Sequence, residues 1–295
     1  MVTAHAADFK LSITKALADQ LAERLMPLVP HSLTDEALRE LEARPGIYLL
    51  FHEGHRVYVG KAQQPLPTRL RNHWKKLRGR NGISIDDVSF VCLYVDEDLD
   101  AAAPERLLIR RYRAEGGVDG VPWNVNGFGN KDPGRNRDTS EVSSNHFDAL
   151  YPANLDWPLK LAGGPQTVGS ILKQVKEQLP YNLRYEKKTR ASSLAYKELV
   201  DVPTEEVTLR ELTSLILAKL PPAWQMTALP GYVILYGKNE ELPSARAWWR
   251  NSGQSEGVEL TTRTPQLGAA SEIEEPNDLA NPDEEQDEDD APLDS

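Results

Sequence analysis

The sequence has little of what marks secreted or membrane proteins. One cysteine, Cys92, among 295 residues excludes an internal disulfide and a cysteine-built zinc or iron–sulfur site. The N-terminus, MVTAHAADFK, has no apolar signal core, and no apolar run approaches membrane-spanning length. With 40% hydrophobic and 27% charged residues, the composition is that of an ordinary soluble protein, and we expect a cytoplasmic one.

Positive charge is absent from one segment and concentrated in another. Residues 271–295 hold 12 acids and no Lys or Arg, so the net charge of −11 leaves 33 acids and 34 bases for residues 1–270. Within that body, residues 56–80 hold eight bases and no acid, which suits a polyanion but is equally typical of a solvated helix face. The eight bases are Arg56, Lys61, Arg69, Arg71, Lys75, Lys76, Arg78 and Arg80.

Apolar spacing predicts a mixed α/β (α+β) fold. Thr34 or Ser32 is the expected cap of the second helix. Residues 115–151, rich in Gly, Asn, Asp and Pro, are predicted to be mainly loop. Helices are predicted over 10–29, over SLTDEALRELEA, over 67–80 and from about Pro104, and strands over PGIYLL, VYVGKA (after a turn at His52-Glu53-Gly54) and 88–95.

A weak internal repeat follows. TVGSILKQVKEQLPYNLRY (167–185) and TLRELTSLILAKLPPAWQM (208–226) each begin with a capping threonine and reach Leu-Pro at the same offset. The repeat reflects either duplication or common capping rules. With GYVILYG as a strand, it predicts an accessory α+β region over 156–250, after a first domain at 1–155 and before a disordered acidic tail at 251–295.

Two tyrosines share one face of the predicted hairpin. Alternation places Tyr48 and Tyr58 together, beside glycines that leave room for a large neighbour. On the following helix, Arg69 and His73 lie one turn apart and suggest a phosphate site. Each pattern alone is more typical of core packing or of a solvated surface.

An acid heads the apolar stripe of the next helix. Glu105 precedes Leu108, Ile109 and Tyr112 at helical spacing. A carboxylate in the first turn is either a partner of the helix dipole or, facing inward, a ligand for a hard metal ion such as Mg²⁺.

These residues resemble the GIY-YIG nuclease superfamily. PGIYLL and VYVGKA place the second tyrosine ten residues after the first, and the family's later Arg, Glu and Asn match Arg69, Glu105 and Asn124. Asn126 is the alternative to Asn124, because AEGGVDG resembles an inserted loop. His73, GFGNKDPGRNRD and HFDALYP resemble the type II restriction endonuclease branch.

The resemblance implies hydrolysis of DNA with one divalent metal. Glu105 would hold Mg²⁺, Arg69 would brace the phosphate, and Tyr48 would take the proton of the attacking water, with Tyr58 as a second phenol. A tyrosine pKa of about 10 needs a neighbour that accepts its proton, and His73 and Lys61 are the candidates. The expected DNA contacts are Lys75, Lys76, Arg78, Arg80, Lys131, Arg135 and Arg137.

The expected activity is sequence-specific cleavage of double-stranded DNA by a homodimer, since each core has one active site. The alternatives are a nicking or structure-specific repair nuclease of the same fold and a catalytically silent DNA-binding module. The acidic tail either aids solubility, which we favour, or covers the basic helix as an intramolecular DNA mimic.

Overall fold

The computed structural model describes residues 13–95, 104–125, 127–128, 137–186, 189–204, 206–251 and 257–270. Lys131, Arg135 and the acidic tail from 271 onward therefore lie outside the described residues. The chain divides into two compact units. Described residues of unit 1 fall within 13–72 and 85–124, and those of unit 2 within 73–84 and 125–270.

Unit 1 is a four-stranded antiparallel sheet with helices. Its strands are β1 (His31–Ser32), β2 (Gly46–His52), β3 (His55–Ala62) and β4 (Val88–Tyr94), in the order β1-β4-β2-β3. Its helices are α1 (Ile13–Leu25), α2 (Asp35–Glu40), α3 (Leu66–Arg78), which continues into unit 2, and α4 (Pro104–Gly116). Thr34 caps α2, because its hydroxyl accepts a hydrogen bond from the Ala37 amide at 3.2 Å.

One face of this sheet forms the core of unit 1. Ile47, Leu49 and Val59 alternate with residues of the opposite face and pack against buried side chains of α1 and α4. Leu108 and Ile109 supply the contribution of α4. The helical spacing that predicts an apolar stripe on α4 therefore describes its buried face, and the hairpin keeps its other face for the two tyrosines.

Unit 2 contains a mixed sheet and several short strand pairs. Its strands are β5 (Val142–Ser143), β6 (Pro158–Leu159), β7 (Gly164–Thr167), β8 (Leu183–Tyr185), β9 (Leu199–Val202), β10 (Val207–Thr208), β11 (Gln225–Ala228), β12 (Val233–Tyr236), β13 (Ala247–Asn251), β14 (Val258–Thr262) and β15 (Leu267–Gly268). The mixed sheet has five strands in the order β14-β13-β11-β12-β8, and the short pairs form between β6 and β10, β7 and β9, and β5 and β15. Its helices are α5 (Phe147–Leu150), α6 (Val168–Gln178), α7 (Arg190–Ala195) and α8 (Leu209–Leu217).

The two repeated segments form equivalent pieces of unit 2. Thr167 caps α6 and Thr208 caps α8, and each helix is followed by a strand of the five-stranded sheet. Buried aliphatic side chains of both helices join one core with the sheet. The predicted mixed α+β fold is confirmed. The boundaries at 155/156 and 250/251 stay a prediction.

No helix within the described ranges is long and apolar enough to cross a membrane.

Candidate active site

Two phenols meet on the sheet face opposite the core of unit 1. Tyr48 lies across from Gly60 in the β2–β3 register, and Tyr58 lies across from Leu50. The ring centroids of the two tyrosines are 6.0 Å apart. A Cβ atom at position 60 would overlap the Tyr48 ring, whose Cε1 would lie only 2.7 Å away. Glycine at position 60 is therefore what lets the first phenol lie flat against the second strand.

Arg69, in the first half of α3, lies against these phenols. Its side chain is buried, and its Nε donates a hydrogen bond to the Tyr48 Oη at 3.3 Å. A buried guanidinium must satisfy its donors, and a phenol oxygen is an acceptor that gains negative charge if it loses its proton. The solvated-surface interpretation of this position does not hold.

The environment keeps both phenols protonated at neutral pH. Burial and, after it, the Glu105 carboxylate raise the pKa of Tyr58 to about 12 against the opposing effect of Arg69. Burial, and then the neighbouring Tyr58, raise the pKa of Tyr48 well above 10, again against Arg69. The site thus surrounds two weak acids with one cation and one carboxylate.

Glu105 supplies that carboxylate from the first turn of α4. The side chain is half-buried, and the helix N-terminus favours its negative charge. In the described ranges, no three His, Cys, Asp or Glu side chains lie close enough together to form a metal cage. A single carboxylate nevertheless fits Mg²⁺, which is commonly held by one or two carboxylates while water and substrate phosphates complete its octahedron.

Asn124 is committed to the main chain of β3. Its Oδ1 accepts from the Val59 amide and its Nδ2 donates to the Val59 carbonyl, both at 2.8 Å. Val59 lies between Tyr58 and Gly60, so this paired contact fixes the strand that carries the second phenol. The geometry gives Asn124 a positioning task.

The Cβ atom of Lys61 lies on the sheet face opposite the phenols. It pairs with Ile47 in the register, and alternation therefore places it on the core face, whereas Tyr58 and Gly60 occupy the opposite face. This orientation disfavours Lys61 as the acceptor of a tyrosine proton. The other candidate, His73, lies one turn after Arg69 on α3.

Unit 2 holds His73 in an aromatic stack. The imidazole is 3% exposed and lies over the ring of Phe128, with a centroid distance of 4.8 Å and an interplanar angle of 22°. Phe128 packs in turn against Phe147 at 4.6 Å. Lys76, three residues after His73, donates a hydrogen bond to the Gly127 carbonyl.

A second buried cluster in unit 2 is centred on Asp148. Its carboxylate pairs with Arg80 at 3.0 Å and with Arg137, and the Arg80 and Asp148 side chains are 3% and 4% exposed. Burial alone would raise the pKa of Asp148, but Arg80, Lys76 and Arg137 hold it far below its usual value. Burial lowers the pKa of the neighbouring His146 to about 4. We call Arg80, Arg137, His146 and Asp148 the Asp148 cluster.

The predicted DNA contacts divide by exposure. Lys75 and Arg78 are exposed, and the Arg78 guanidinium lies 4.4 Å from the Trp74 ring centroid. Arg80 and Arg137 are instead ion-paired inside the Asp148 cluster, a geometry that favours a structural task for both.

The sequence patterns do not single out several residues of unit 2 that contribute to this architecture. Phe128 lies in GFGNKDPG, and His146 and Asp148 lie in HFDALYP. One feature of the sequence does point to this cluster: Asp148 stands among apolar residues in HFDALYP. A charge among apolar neighbours is expected to have a buried partner.

Two tyrosines of the sheet, an arginine of α3 bound to one of them and a glutamate of α4 that acts electrostatically on both define a site suited to phosphodiester hydrolysis. Residues 52–179 match the family model described as the Eco29kI GIY-YIG domain, a family of type II restriction endonucleases. Over this range, which is less than half of its length, the chain is similar to the GIY-YIG nucleases. The matched range contains Tyr58, Arg69, His73, Glu105 and Asn124 and begins after Tyr48.

No curated protein matches the chain. The matched domain supports a nuclease that acts on DNA, and GIY-YIG nucleases use divalent metal ions. The predicted family and the broad class of enzyme are confirmed.

Proposed function

We propose that the chain is a Mg²⁺-dependent type II restriction endonuclease that cuts both strands of a specific DNA sequence as a homodimer. The observation that carries the proposal is the hydrogen bond from buried Arg69 to Tyr48, with Tyr58 6.0 Å away and Glu105 acting electrostatically on both phenols. Hydrolysis of a phosphodiester needs these three kinds of group: a proton acceptor, a cation for the phosphoryl oxygens and a carboxylate that holds the metal.

Arg69 binds the phosphate in this scheme. A guanidinium has five N–H donors in a rigid fork, so it can hold the Tyr48 oxygen and a phosphate oxygen together. Burial strengthens the attraction, because the local dielectric constant is lower than that of water. Arg69 therefore fixes the scissile phosphate relative to the phenol.

Tyr48 accepts the proton of the attacking water. For this step the phenol first passes its own proton to an acceptor, and His73, one helical turn beyond Arg69, has that role. The Arg69 Nε–H then stabilises the phenolate oxygen to which it already donates. Tyr58 acts as the second phenol of the pocket.

Glu105 is the residue that would hold Mg²⁺. When bound, the ion supplies positive charge to the phosphoryl oxygens and the leaving oxygen. Asn124 keeps β3 in place through its two hydrogen bonds to Val59. Lys75 and Arg78, which are exposed on α3, contact the DNA backbone and contribute affinity without sequence information.

The homodimer follows from the number of active sites. One core carries one set of Tyr48, Arg69 and Glu105, and one such set attacks one phosphodiester. Two copies related by a two-fold axis would address the two strands of a palindrome symmetrically. Sedimentation of the protein on a duplex with one site measures this directly, and a single protomer per cut site would contradict it.

The test of the proposed function is incubation of the purified chain with a long duplex and Mg²⁺. Discrete, reproducible fragments support restriction. Nicks confined to branches or damage would instead make it a structure-specific nuclease, and retained binding without any cleavage would make it a silent module. Sequencing the fragment ends gives the recognition site.

A further inference from the structure

The imidazole of His73 is held face to face with one aromatic ring. Its centroid lies 4.8 Å from that of Phe128 at an angle of 22°, and both side chains are buried, at 3% and 2% exposure. A histidine has two rotatable side-chain bonds, and the second is only loosely restricted by intrinsic preference. The stack therefore restricts the rotation that decides where the two ring nitrogens point.

Phe128 is itself fixed from several directions. Lys76, on the same helix as His73, donates to the carbonyl of Gly127, which ties the segment before Phe128 to α3. Gly127 has a φ of 93° and lies against the His146 ring, where a Cβ atom would overlap the imidazole. Phe147 packs against the Phe128 ring at 4.6 Å. The ring that orients His73 thus takes its own position from α3 and from the HFD segment at 146–148.

We propose that Phe128 is a positioning residue that sets the plane of the His73 imidazole for proton transfer. This inference rests on the proposed function, in which His73 receives the tyrosine proton. Proton transfer requires donor and acceptor heavy atoms within about 3 Å in a suitable direction, and small misplacements reduce rates strongly. Gly127 fits this arrangement, because the backbone at this position approaches His146 closely while the Phe128 ring reaches His73.

The variant pair Phe128→Leu and Phe147→Leu tests the proposal with one matched substitution at two neighbouring rings. Both positions are buried, but Phe128 is the ring that stacks on His73. On a duplex carrying a site found with the wild type, Phe128→Leu is expected to lower the single-turnover rate about tenfold and to leave metal-free DNA binding within about twofold. Phe147→Leu keeps an apolar side chain beside Phe128 and leaves the hydrogen bond from Lys76 to Gly127 in place, so it is expected to lose comparable stability while its rate stays within about threefold. Phe128→Tyr, which keeps the ring, should retain most of the rate.

A spectroscopic readout separates this inference from the proposed function. The six histidines can be labelled with ¹³C, and the His73 signals identified by their loss in His73→Gln. The Phe128 ring current should shift the His73 imidazole protons upfield. This shift should vanish in Phe128→Leu, and it should persist in Phe147→Leu and Phe128→Tyr. If the wild type did not cleave DNA, the proposed function would fail, while the NMR result would still decide whether the stack orients His73.

Two results would overturn the positioning role. One is an unchanged His73 spectrum in folded Phe128→Leu. The other is an equal loss of cleavage rate in both leucine variants, which would indicate a general packing effect. Circular dichroism and a thermal melt confirm folding, and Phe128→Met replaces the leucine variant if that variant does not fold.

Discussion

Two buried arginines of this chain have different surroundings, and the difference separates chemistry from architecture. Arg69 and Arg80 are 8% and 6% exposed. Arg69, in unit 1, donates to a neutral phenol, whereas Arg80, in unit 2, pairs with the Asp148 carboxylate at 3.0 Å. A guanidinium paired with a carboxylate has its charge compensated in the folded protein. Arg69 donates to a phenol that is still protonated, and its positive charge would stabilise the phenolate that forms when this phenol loses its proton.

The electrostatics of the two clusters follow from these partners. In unit 1, burial and Glu105 raise the pKa of Tyr58 to about 12 while Arg69 opposes them. In unit 2, burial lowers the pKa of Arg80 and Asp148 opposes that shift. The Asp148 cluster should therefore contribute stability, and the phenol cluster should contribute rate. Substitutions in the two places can break this comparison or sharpen it.

The largest expected effect is that of Glu105→Gln on cleavage. The substitution keeps the shape of the side chain and removes the negative charge that would hold the metal. We expect single-turnover cleavage to fall by about 10³-fold, the upper scale for loss of one electrostatic contact to a transition state. DNA binding should persist or tighten, because repulsion between carboxylate and phosphate is removed. Single-turnover kinetics and metal-free binding assays measure the two properties separately.

Arg69→Ala is the comparison for that variant. Removal of the guanidinium should weaken phosphate contact and cleavage together, whereas Glu105→Gln should separate them. Full-rate cleavage by Glu105→Gln would mean that the metal is held by another residue.

Asp148→Asn should have the largest effect on folding. It leaves the buried Arg80 guanidinium without its compensating charge, and breaking a buried ion pair in this way costs about 3–5 kcal/mol of unfolding free energy. The control is Asp156→Asn, which removes the partner of Arg210 at a site where the aspartate side chain is 60% exposed. That variant should lose less than about 1 kcal/mol. Urea unfolding compares the two, and equal losses would show that burial of the Asp148 cluster does not matter.

The sequence predicts the phenol cluster far better than the Asp148 cluster, for a physical reason. Tyr48, Tyr58 and Arg69 lie within one hairpin and the following helix, so strand and helix periodicity place them. Thr34, Thr167 and Thr208 act as caps for the same local reason. The sequence predicts Arg80 and Arg137 as surface cations that contact DNA. Their partner, Asp148, is brought to them by tertiary packing that no local pattern encodes.

The division of roles within the phenol cluster also lies beyond the sequence. Alternation places Tyr48 and Tyr58 on one face, but it says nothing of the Arg69 hydrogen bond. Asn124 matches a family position, and only the fold shows its side chain bound to the Val59 main chain. Helix spacing places His73 beside Arg69 and gives no hint of Phe128, which comes from a distant loop.

His73→Ala should reduce cleavage by about 10²-fold or more, the usual contribution of a general acid–base residue. Because the imidazole is proposed to receive a proton and not to bind phosphate, DNA affinity should change little. Single-turnover rates at neutral pH give the result, with Lys75→Ala, an exposed neighbour on α3, as the variant that should weaken binding more than rate. Wild-type cleavage by His73→Ala would remove His73 from the mechanism.

The pH dependence of cleavage should report the phenols. In His73→Ala, which lacks the proposed acceptor, a tyrosine must lose its proton to solvent before water is activated. Because the pKa of Tyr58 is about 12 and that of Tyr48 is well above 10, the rate of this variant should rise with pH, approaching tenfold per pH unit between about pH 7 and 9. In the wild type the proton passes to His73 within the site, so the rate should depend much less on pH. Tyr48→Phe and Tyr58→Phe show which phenol is responsible, since the variant lacking the base should lose most activity. A flat profile for His73→Ala would assign the proton to another group.

The smallest expected effect is a loss of stability in mild acid, and it belongs to the Asp148 cluster. Burial lowers the pKa of His146 to about 4, with Arg137, Lys76 and Arg80 adding to the shift and Asp148 opposing it. The unfolded chain has a histidine pKa of about 6.5, so it binds the proton first as pH falls. The contribution of His146 to stability is therefore fully present above about pH 6.5 and is lost as pH falls toward 4.

By pH 5.5 the loss of unfolding free energy should be about 1 kcal/mol, and His146→Gln should abolish this loss. His31→Gln, at an exposed position, provides the control for removing a histidine. Urea unfolding at pH 7.5 and 5.5 measures the change in unfolding free energy. Equal changes for the wild type and His146→Gln would show that His146 is not held neutral in the fold.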